Sequence, residues 1–367
     1  MVKKILYIEL SGEIQGGGHR SLLQLLKFID RTKYLPHVLC AGSGSLVEAL
    51  KAIHVDVDII DMKPLSGAAA LFRMSGYVRK IFRVIKSRQI DLIHVTAPRA
   101  VLIAGLAGRM AGVPLIWHVR IEESDKLYDR LNLWLSDELI VISRAVQKRF
   151  QWSATRKKIH LIYNGVDTED FCPGNHSHPF REQFNLEQEF VVGILGQILE
   201  IKGHGELIQA AFRIHPELPR VHFLIAGEEN PYKQALQRQV EAMGLTNTVH
   251  FYDFCTDVVS LIRSLDLIVV PSYSEAFGRV TIESMACEKP VIATYTGAGR
   301  EIIHHGDNGY LIPPRDPEAL ACAVRDLVNS DSIRESLARK GRETVVTFFD
   351  IREHVRKVEE VYRGIAG

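Results

Sequence analysis

One segment in the second half of the chain constrains the fold most, because it sets a buried strand, a polar loop and a helix in fixed order. The apolar run 267–270 ends at Pro271, and the polar loop after it leads into an apolar pattern at helical spacing over 280–286. Two carboxylates lie eight positions apart, Glu275 in the loop and Glu283 about two turns into the helix. Open parallel sheets bind ligands at the carboxyl ends of strands, beside helix N-termini. The segment therefore predicts a ligand site at Glu275.

The size and charge of the chain narrow the class of protein. A chain of 367 residues exceeds one ordinary hydrophobic core, so we expect two domains. Lysine and arginine number 45 against 44 aspartates and glutamates, and this balance argues against nucleic acid as the main partner. The five cysteines are scattered and form no Cys-x-x-Cys pair. This pattern favours a reducing cytoplasm over a disulfide framework or a zinc ribbon.

Strand and helix patterns alternate along the chain, as they do in doubly wound α/β domains. We expect the first strand at 5–8, where the short apolar run after two lysines does not resemble a signal peptide. The apolar stretch 100–108 ends at Arg109 and is too short for a membrane span. The predicted strands are 5–8, 37–41, 55–60, 91–95, 115–119, 138–142, 159–162, 190–195, 221–226, 249–251, 267–270 and 290–293.

A polar stretch with two prolines and a glycine interrupts this alternation and marks a domain boundary. Two similar α/β halves place a cleft between two ligand-binding edges, where small-molecule sites concentrate. The predicted parts are an N-terminal Rossmann-like domain over 1–163, a linker over 164–188, a C-terminal Rossmann-like domain over 189–349, and a last helix, over 350–367, that packs back on the N-terminal domain.

Two features of the first half have both a structural and a functional interpretation. Gly16, Gly17 and Gly18 lie between a predicted strand and a predicted helix, where backbone N–H groups can cradle a phosphate. They would also suit a plain flexible turn, since the Gly-x-Gly-x-x-Gly spacing is absent. His118 ends the strand 115–119, which fits either a core histidine or a functional one at a ligand-binding edge.

The region between Met62 and Ile90 is basic, with seven lysines or arginines and no acid. Apolar residues are interleaved at helical spacing, so we predict an amphipathic helix near 73–88. Such a helix would either contact anionic lipid headgroups or present a solvated face beside the sheet. The basic residues are Lys63, Arg73, Arg79, Lys80, Arg83, Lys86 and Arg88.

The spacing Glu275-x7-Glu283, with Ala276, Phe277 and Gly278 after the first glutamate, resembles the signature of glycosyltransferase family 4. The members of this family are retaining, nucleotide-sugar-dependent enzymes of the GT-B fold. The resemblance extends over nearly the whole chain, in the expected order. The other matching stretches are 16–18, 164–167, 196–203, 249–258, 290–301 and 309–312.

This resemblance implies two Rossmann-like domains that face each other across a cleft, with the acceptor side on the N-terminal domain and the donor nucleotide-sugar on the C-terminal domain. It also implies the transfer of a hexose-type sugar from a UDP-sugar or GDP-sugar, with retention of configuration and without a metal or other cofactor. The acceptor would be a glycan, a lipid-linked molecule or a small molecule, as in the synthesis of cell-surface polysaccharides or glycoconjugates. The protein would then work in the cytoplasm, at the inner face of the membrane if the basic helix binds lipid.

The resemblance also assigns roles to particular residues. Glu275 would hold hydroxyls of the donor sugar, Glu283 the ribose, and Lys202 the diphosphate, while His118 would lie beside the reacting centre. The implied catalytic residues are His118, Lys202 and Glu275. The implied donor-binding residues are Gly17, Gly18, Gln197, Gly203, Ala276, Phe277, Gly278, Arg279, Val280 and Glu283.

Several positions depart from the family pattern, and Cys255, Glu288 and Lys289 are among the unusual ones. Gln197 stands where the family commonly has an arginine, so a guanidinium that would grip the diphosphate is missing. Asp253 stands where a glycine is frequent. Another arginine would have to supply the lost charge, and the candidates are Arg20, Arg279 and Arg300. The alternative functions are a nucleotide-sugar epimerase of the same fold and a sugar-nucleotide-binding subunit without catalysis.

Overall fold

Every strand that the structure describes pairs in parallel with its neighbours, so each connection between paired strands is a crossover. The structure is a computed structural model and describes residues 2–62, 70–153, 159–174, 178–253 and 255–365. Two units are present. The N-terminal unit comprises Met1–Gly165 with Ile351–Gly367, and the C-terminal unit comprises Val166–Asp350.

The N-terminal unit contains a seven-stranded sheet of order β3-β2-β1-β4-β5-β6-β7. Its strands are β1 (Lys3–Glu9), β2 (Tyr34–Cys40), β3 (Asp56–Ile59), β4 (Leu92–Val95), β5 (Leu115–Val119), β6 (Glu138–Val141) and β7 (Ile159–Leu161). Its first helices are α1 (Gly17–Phe28), α2 (Ser45–Ala52), α3 (Ala70–Arg88), α4 (Pro98–Ala111), α5 (Lys126–Leu135) and α6 (Arg144–Lys148).

Local sequence sets the ends of the helices in this unit. Helix α4 begins with Pro98 in its first turn, where a missing N–H costs nothing, and ends at Gly112 in a left-handed conformation. The Asp125 side chain caps α5 by accepting hydrogen bonds from the backbone N–H groups of Leu127 and Tyr128. Strand β4 is buried along its whole length, as expected for a parallel strand with both faces covered.

The C-terminal unit contains a six-stranded sheet of order β10-β9-β8-β11-β12-β13. Its strands are β8 (Phe190–Leu195), β9 (Val221–Ala226), β10 (Val249–Tyr252), β11 (Leu267–Val270), β12 (Val291–Thr294) and β13 (Tyr310–Ile312). Its helices are α7 (Pro179–Gln183), α8 (His204–Ile214), α9 (Pro231–Ala242), α10 (Val258–Arg263), α11 (Arg279–Ala286), α12 (Gly299–Ile302), α13 (Pro317–Val328) and α14 (Asp331–Phe348).

The last helix, α15 (Ile351–Ile365), belongs to the N-terminal unit although it follows the C-terminal one in sequence. Val355, Val358 and Tyr362 on its buried face join the same core as the inner residues of β1 and α1. Burial of these side chains removes apolar area from water, which stabilises the return of the chain.

The predicted pair of doubly wound α/β domains is confirmed. The structure differs in detail from the expected elements. The segment 164–188, predicted as a linker, contains α7, which is anchored by the fully buried Phe180. Strand β13 was not among the predicted strands, because three residues carry too short a pattern. It forms by pairing with β12 at the sheet edge. Within the described residues, no helix is both long enough and apolar enough to cross a bilayer.

Candidate active site

In the C-terminal sheet, the order in which the strands are added reverses between the neighbouring strands β8 and β11. Strands β9 and β10 lie on one side of this junction, and β12 and β13 lie on the other. The connections after β8 and β11 therefore lead to opposite sides of this junction, and open α/β sheets bind ligands at the carboxyl ends of such strands. Lys202 follows β8 and Glu275 follows β11, so the fold brings both predicted catalytic residues of this unit to the junction.

The two loops are in direct contact. The backbone N–H of Tyr273 donates a hydrogen bond of 2.8 Å to the carbonyl of Ile201. Gly203 has φ of 77°, and a Cβ added there would lie 2.2 Å from the carbonyl oxygen of Pro271. Only glycine tolerates both the left-handed backbone and this close approach. Gly203 thus fixes the distance between the loops.

An ion pair bridges the same loops. Lys202 Nζ donates to Glu275 Oε2 at 2.6 Å, and Ser272 Oγ donates to the same oxygen at 3.3 Å. The side chains of Lys202 and Glu275 remain 30% and 21% exposed, so both charges are accessible from the mouth of the junction. A carboxylate and a cation held side by side can bind a ligand that carries both hydroxyls and phosphates.

The loop after Glu275 leads directly into α11. Gly278 precedes the helix with φ of 92°, in the left-handed region that favours glycine. Phe277 is buried and meets Phe349 edge to face, with ring centroids 6.0 Å apart, which anchors the loop. The first backbone N–H groups of α11 lack partners within the helix, so this end attracts negative charge. Ala276 and Val280 flank this turn and are partly buried.

Glu283 lies on α11, one turn after Arg279, and the two side chains form an ion pair of 2.6 Å. Both side chains are largely buried, at 9% and 14% exposed. The Arg279 guanidinium neutralises the Glu283 carboxylate, so this buried side chain carries no unpaired charge. Arg279 was a candidate for the cation missing at Gln197, and the structure pairs it with Glu283. Arg300 lies over the Tyr295 ring, 4.6 Å from its centroid.

Gln197 is exposed in the loop after β8, two residues beyond the end of the strand. At Asp253, which also departs from the family pattern, the structure shows an ion pair. Lys233, which is only 2% exposed, donates to Asp253 Oδ1 at 2.7 Å. Asp253 follows β10 and Lys233 lies on α9, so the pair occupies the same carboxyl edge of the sheet. Sequence reasoning missed Lys233, because no local pattern indicates that a lysine in an ordinary helix is buried.

In the N-terminal unit, the glycine loop lies at the corresponding position of its sheet. Strands β1 and β4 are neighbours at the point where the strand order reverses. Gly17 and Gly18 begin α1, which follows the loop after β1, and Gly16 precedes them with φ of 144°. A Cβ added at Gly18 would lie 4.0 Å from the Arg120 side chain, so the loop lies beside the end of β5. These glycines therefore lie at the ligand-binding edge of their unit.

His118 is fully buried near the end of β5 and belongs to a chain of hydrogen-bonded rings. His94 Nε2 lies 3.1 Å from His118 Nδ1, and His94 Nδ1 lies 2.5 Å from the Tyr362 hydroxyl. The Tyr362 hydroxyl lies 2.9 Å from that of Tyr7. Arg120 Nη2 also approaches His118 Nδ1, at 3.5 Å. Among the described residues, His118 Nε2 has no hydrogen-bond partner.

The hydrogen bonds between these rings favour one arrangement of their protons. A guanidinium only donates, so Arg120 favours a His118 Nδ1 that accepts. His94 Nε2 then donates to His118, and the Tyr362 hydroxyl donates to His94 Nδ1. In this arrangement His118 Nε2 carries the proton and is a hydrogen-bond donor. Burial, and next the charge of Arg120, lowers the pKa of His118 well below its usual value, so the ring stays neutral.

The predicted residues therefore fall into two groups, one in each unit. The first group lies in the loops after β8 and β11 and in α11, and comprises Gln197, Lys202, Gly203, the stretch from Glu275 to Val280, and Glu283. The second group comprises Gly17 and Gly18 at the start of α1 and His118 near the end of β5, in the N-terminal unit. Among the described residues, no cluster of three histidine, cysteine or acidic side chains is arranged to hold a metal ion.

Comparison with known families identifies the family of the chain. Residues 15–170 match the family model described as Glycosyltransferase Family 4, and residues 177–344 match the model described as Glycosyl transferases group 1. The chain belongs to glycosyltransferase family 4. The predicted family is thus confirmed, and this glycosyltransferase has the GT-B fold.

Curated and solved relatives agree with this assignment. The glycosyltransferase is 24% identical to the capsular polysaccharide biosynthesis glycosyltransferase CapM of Staphylococcus aureus, over 92% of each chain. It is 29% identical to a D-inositol 3-phosphate glycosyltransferase of Corynebacterium jeikeium, over 82% of this chain and 71% of that one. The crystal structure of Anabaena Alr3699/HepE in complex with UDP-glucose matches with a TM-score of 0.85 and 26% identity, over 98% of this chain and 99% of that one.

The contact at Gly203 can be tested against a matched glycine of the same unit. Gly203→Ala should destabilise the C-terminal unit of the glycosyltransferase by roughly 2 kcal/mol or more, through left-handed strain and the clash with Pro271. Gly244 has nearly the same φ, 70°, but open space around it, so Gly244→Ala should cost only about 1 kcal/mol. Thermal unfolding followed by circular dichroism measures both, and equal losses would contradict the contact.

The buried histidines predict how stability depends on pH. Burial lowers the pKa of His94 to about 3, whereas an unfolded histidine titrates near about 6.5. Between the folded and unfolded pKa values only the unfolded state gains this proton. The free energy of unfolding should therefore decrease as the pH is lowered. His94 should account for about 2 kcal/mol between about pH 7 and pH 5. His94→Asn should be less stable at neutral pH yet lose less on acidification. All three tryptophans lie in the N-terminal unit, so their fluorescence reports its unfolding. An unchanged pH dependence in the variant would refute this account.

Proposed function

We propose that this glycosyltransferase is a retaining hexosyltransferase that takes its sugar from a UDP-sugar or GDP-sugar. The observation that carries the proposal is the ion pair of 2.6 Å between Lys202 and Glu275, at the junction of β8 and β11 beside the start of α11. The leaving group of a sugar nucleotide is a diphosphate, whose negative charge grows as the glycosidic bond breaks. Fixed cations and backbone donors stabilise such a charge most strongly.

Lys202 and Glu275 have complementary roles in this proposal. A carboxylate and a diphosphate in one mouth would repel each other, and Lys202 between them offsets that repulsion. The Glu275 oxygens accept hydrogen bonds from the donor sugar hydroxyls, which orients the anomeric carbon. The N-terminus of α11, which begins after Gly278, adds backbone N–H donors for the phosphate oxygens.

Glu283 would bind the ribose of the nucleotide. Its carboxylate is 9% exposed and already paired with Arg279, so it is held in one orientation. Two ribose hydroxyls can donate to the two oxygens of one carboxylate. A carboxylate that Arg279 holds in one orientation is therefore suited to bind the two hydroxyls of a ribose.

In the N-terminal unit, we propose that the Gly17 and Gly18 backbone can bind an anionic substrate group and that His118 acts as a hydrogen-bond donor. The His118 ring is neutral and its Nε2–H lacks a partner among the described residues, so it is suited to donate to a substrate oxygen. It is not suited to accept a proton at Nε2. The acceptor proton would pass instead to a donor phosphate oxygen as the new bond forms on the same face of the sugar. Neither glutamate then acts as a covalent nucleophile, unlike the carboxylates of retaining hydrolases.

The relatives suggest the setting of the reaction. HepE was crystallised with UDP-glucose, and CapM is named for capsular polysaccharide biosynthesis. We therefore propose UDP-glucose as the first donor to test, and a glycan or lipid-linked acceptor in the synthesis of a cell-surface polysaccharide or glycoconjugate. Lys202 and the N–H groups of α11 supply the positive charge at the diphosphate, so we propose that transfer proceeds without a divalent cation.

Acceptor-dependent release of nucleoside diphosphate from UDP-sugars and GDP-sugars tests this function. Donors are first screened by thermal stabilisation, because a ligand that binds the native state raises its stability. Proton NMR then gives the anomeric configuration of the product, which should equal that of the donor. Stabilisation by a donor without transfer to any acceptor would identify a binding subunit. An inverted product would contradict the retaining mechanism.

Substitutions of the ion pair test the site itself. Glu275→Gln and Lys202→Ala should each lower the rate of transfer by roughly a hundredfold to a thousandfold, with the fold intact. Lys340→Ala is the matched control, since Lys340 forms a pair of 2.7 Å with Asp307 on the exposed surface of the same unit. The control should transfer sugar at the normal rate. Normal rates in either site variant would remove the assignment.

A further inference from the structure

Three helices form one continuous outer layer on the N-terminal unit. Helix α3 packs against α4, and α4 packs against α5, as right-handed crossovers along the strand order β1-β4-β5-β6 require. Lys86 Nζ on α3 donates to the carbonyl of Ala111 at the end of α4, at 2.9 Å. The Arg109 guanidinium on α4 lies over the Trp134 ring of α5, 4.1 Å from its centroid. The exposed sides of α3, α4 and α5 thus form a single surface, called here the outer layer.

The charge of the outer layer is strongly one-sided. Six lysines or arginines lie in α3, two in α4 and two in α5. The one acid in these helices, Asp129, is fully buried and pairs with Arg149, while the exposed Asp125 caps the start of α5 and Arg88 pairs with Asp58. The whole chain has 45 basic and 44 acidic residues, so this excess of positive charge is local. Lys63, which belongs to the predicted basic region, lies outside the described residues. The basic residues are Arg73, Arg79, Lys80, Arg83, Lys86, Arg88, Arg99, Arg109, Lys126 and Arg130.

Large apolar side chains project from the same layer. Leu127, Leu131 and Trp134 follow one another at helical spacing along α5 and are 76%, 37% and 57% exposed. Met110 at the end of α4 is 61% exposed, and Phe72 near the start of α3 is 83% exposed. Scattered single apolar residues are normal on a protein surface, but a row of them beside a cationic helix marks an interaction surface.

The combination of charge and apolar tips distinguishes between partners. A nucleic acid would pair with the cations, but its phosphates give Leu127 and Met110 nothing apolar to contact. A second copy of this chain would bring the same positive charge to a symmetric interface, where the two layers would repel each other. An anionic bilayer satisfies both features. Its headgroups attract lysine and arginine, and its acyl boundary accepts leucine and tryptophan.

We propose that the outer layer of α3, α4 and α5 binds the surface of an anionic lipid bilayer. The cations of α3 lie against the headgroups, while Leu127, Trp134 and Met110 enter the boundary between headgroups and acyl chains. The long stems of arginine and lysine let their charges stay at headgroup level while the helices lie in the plane of the surface. The surface belongs to the N-terminal unit alone, and it does not depend on the proposed donor.

Vesicle sedimentation of the full chain tests the proposal. Vesicles of phosphatidylcholine with phosphatidylglycerol should carry the protein into the pellet at low salt, and vesicles of phosphatidylcholine alone should not. At about 1 M salt, where the Debye length is about 3 Å, binding should weaken strongly. Absence of sedimentation with anionic vesicles at low salt would overturn the proposal.

Two variants separate the electrostatic and apolar contributions. Arg79→Glu/Lys80→Glu/Arg83→Glu and Leu127→Gln/Trp134→Gln should each weaken binding to anionic vesicles by roughly tenfold or more. Each has a matched control on exposed residues elsewhere, and circular dichroism verifies that all four proteins fold. The controls are Lys51→Glu/Arg238→Glu/Arg339→Glu, with the same change in net charge, and Val346→Gln/Phe348→Gln, with the same loss of exposed apolar side chains.

The controls should bind as the unchanged protein does. Binding that survives Leu127→Gln/Trp134→Gln would overturn the insertion of these side chains and with it the proposal. Sedimentation equilibrium of the protein without lipid examines the rival occupant. A dimer that Leu127→Gln/Trp134→Gln converts to a monomer would assign the outer layer to a second copy instead.

Discussion

The contact between the loops after β8 and β11 is the constraint on which the candidate donor site depends. Gly203 lies against the Pro271 carbonyl, and the Tyr273 N–H is bonded to the Ile201 carbonyl. With the loops fixed in this way, Lys202 Nζ lies 2.6 Å from Glu275 Oε2, and little conformational entropy of the two side chains is lost when the pair forms. The cost of ordering these groups is met by folding of the backbone and not by the ligand, which is the physical content of preorganisation.

Much of the fold follows from local patterns in the sequence. Buried parallel strands give short apolar runs, and the strand, loop and helix around Glu275 follow directly from residues 267–286. Edges of sheets can be inferred in the same way, because parallel strands present their carboxyl ends together. The location of Lys202, Glu275 and His118 at such edges was therefore predictable, although their partners were not.

The partners depend on contacts between distant residues. His94 and Tyr362 are 268 positions apart, and they meet because α15 returns to the N-terminal core. The buried Lys233 pairs with the exposed Asp253, and Arg279 is held by Glu283 instead of replacing the missing arginine at Gln197. The exposed row on α5 was also missed, since residues at helical spacing more often face a core. Each case depends on which face of a helix is buried, and tertiary packing determines that face.

The position of a bound donor tests the central claim most directly. In a crystal structure of this glycosyltransferase with UDP-glucose, the account predicts a diphosphate oxygen within hydrogen-bonding distance of Lys202 Nζ. It also predicts glucose hydroxyls at Glu275 and ribose hydroxyls at Glu283. A nucleotide bound with its phosphates away from Lys202, or with its ribose on another carboxylate, would contradict it.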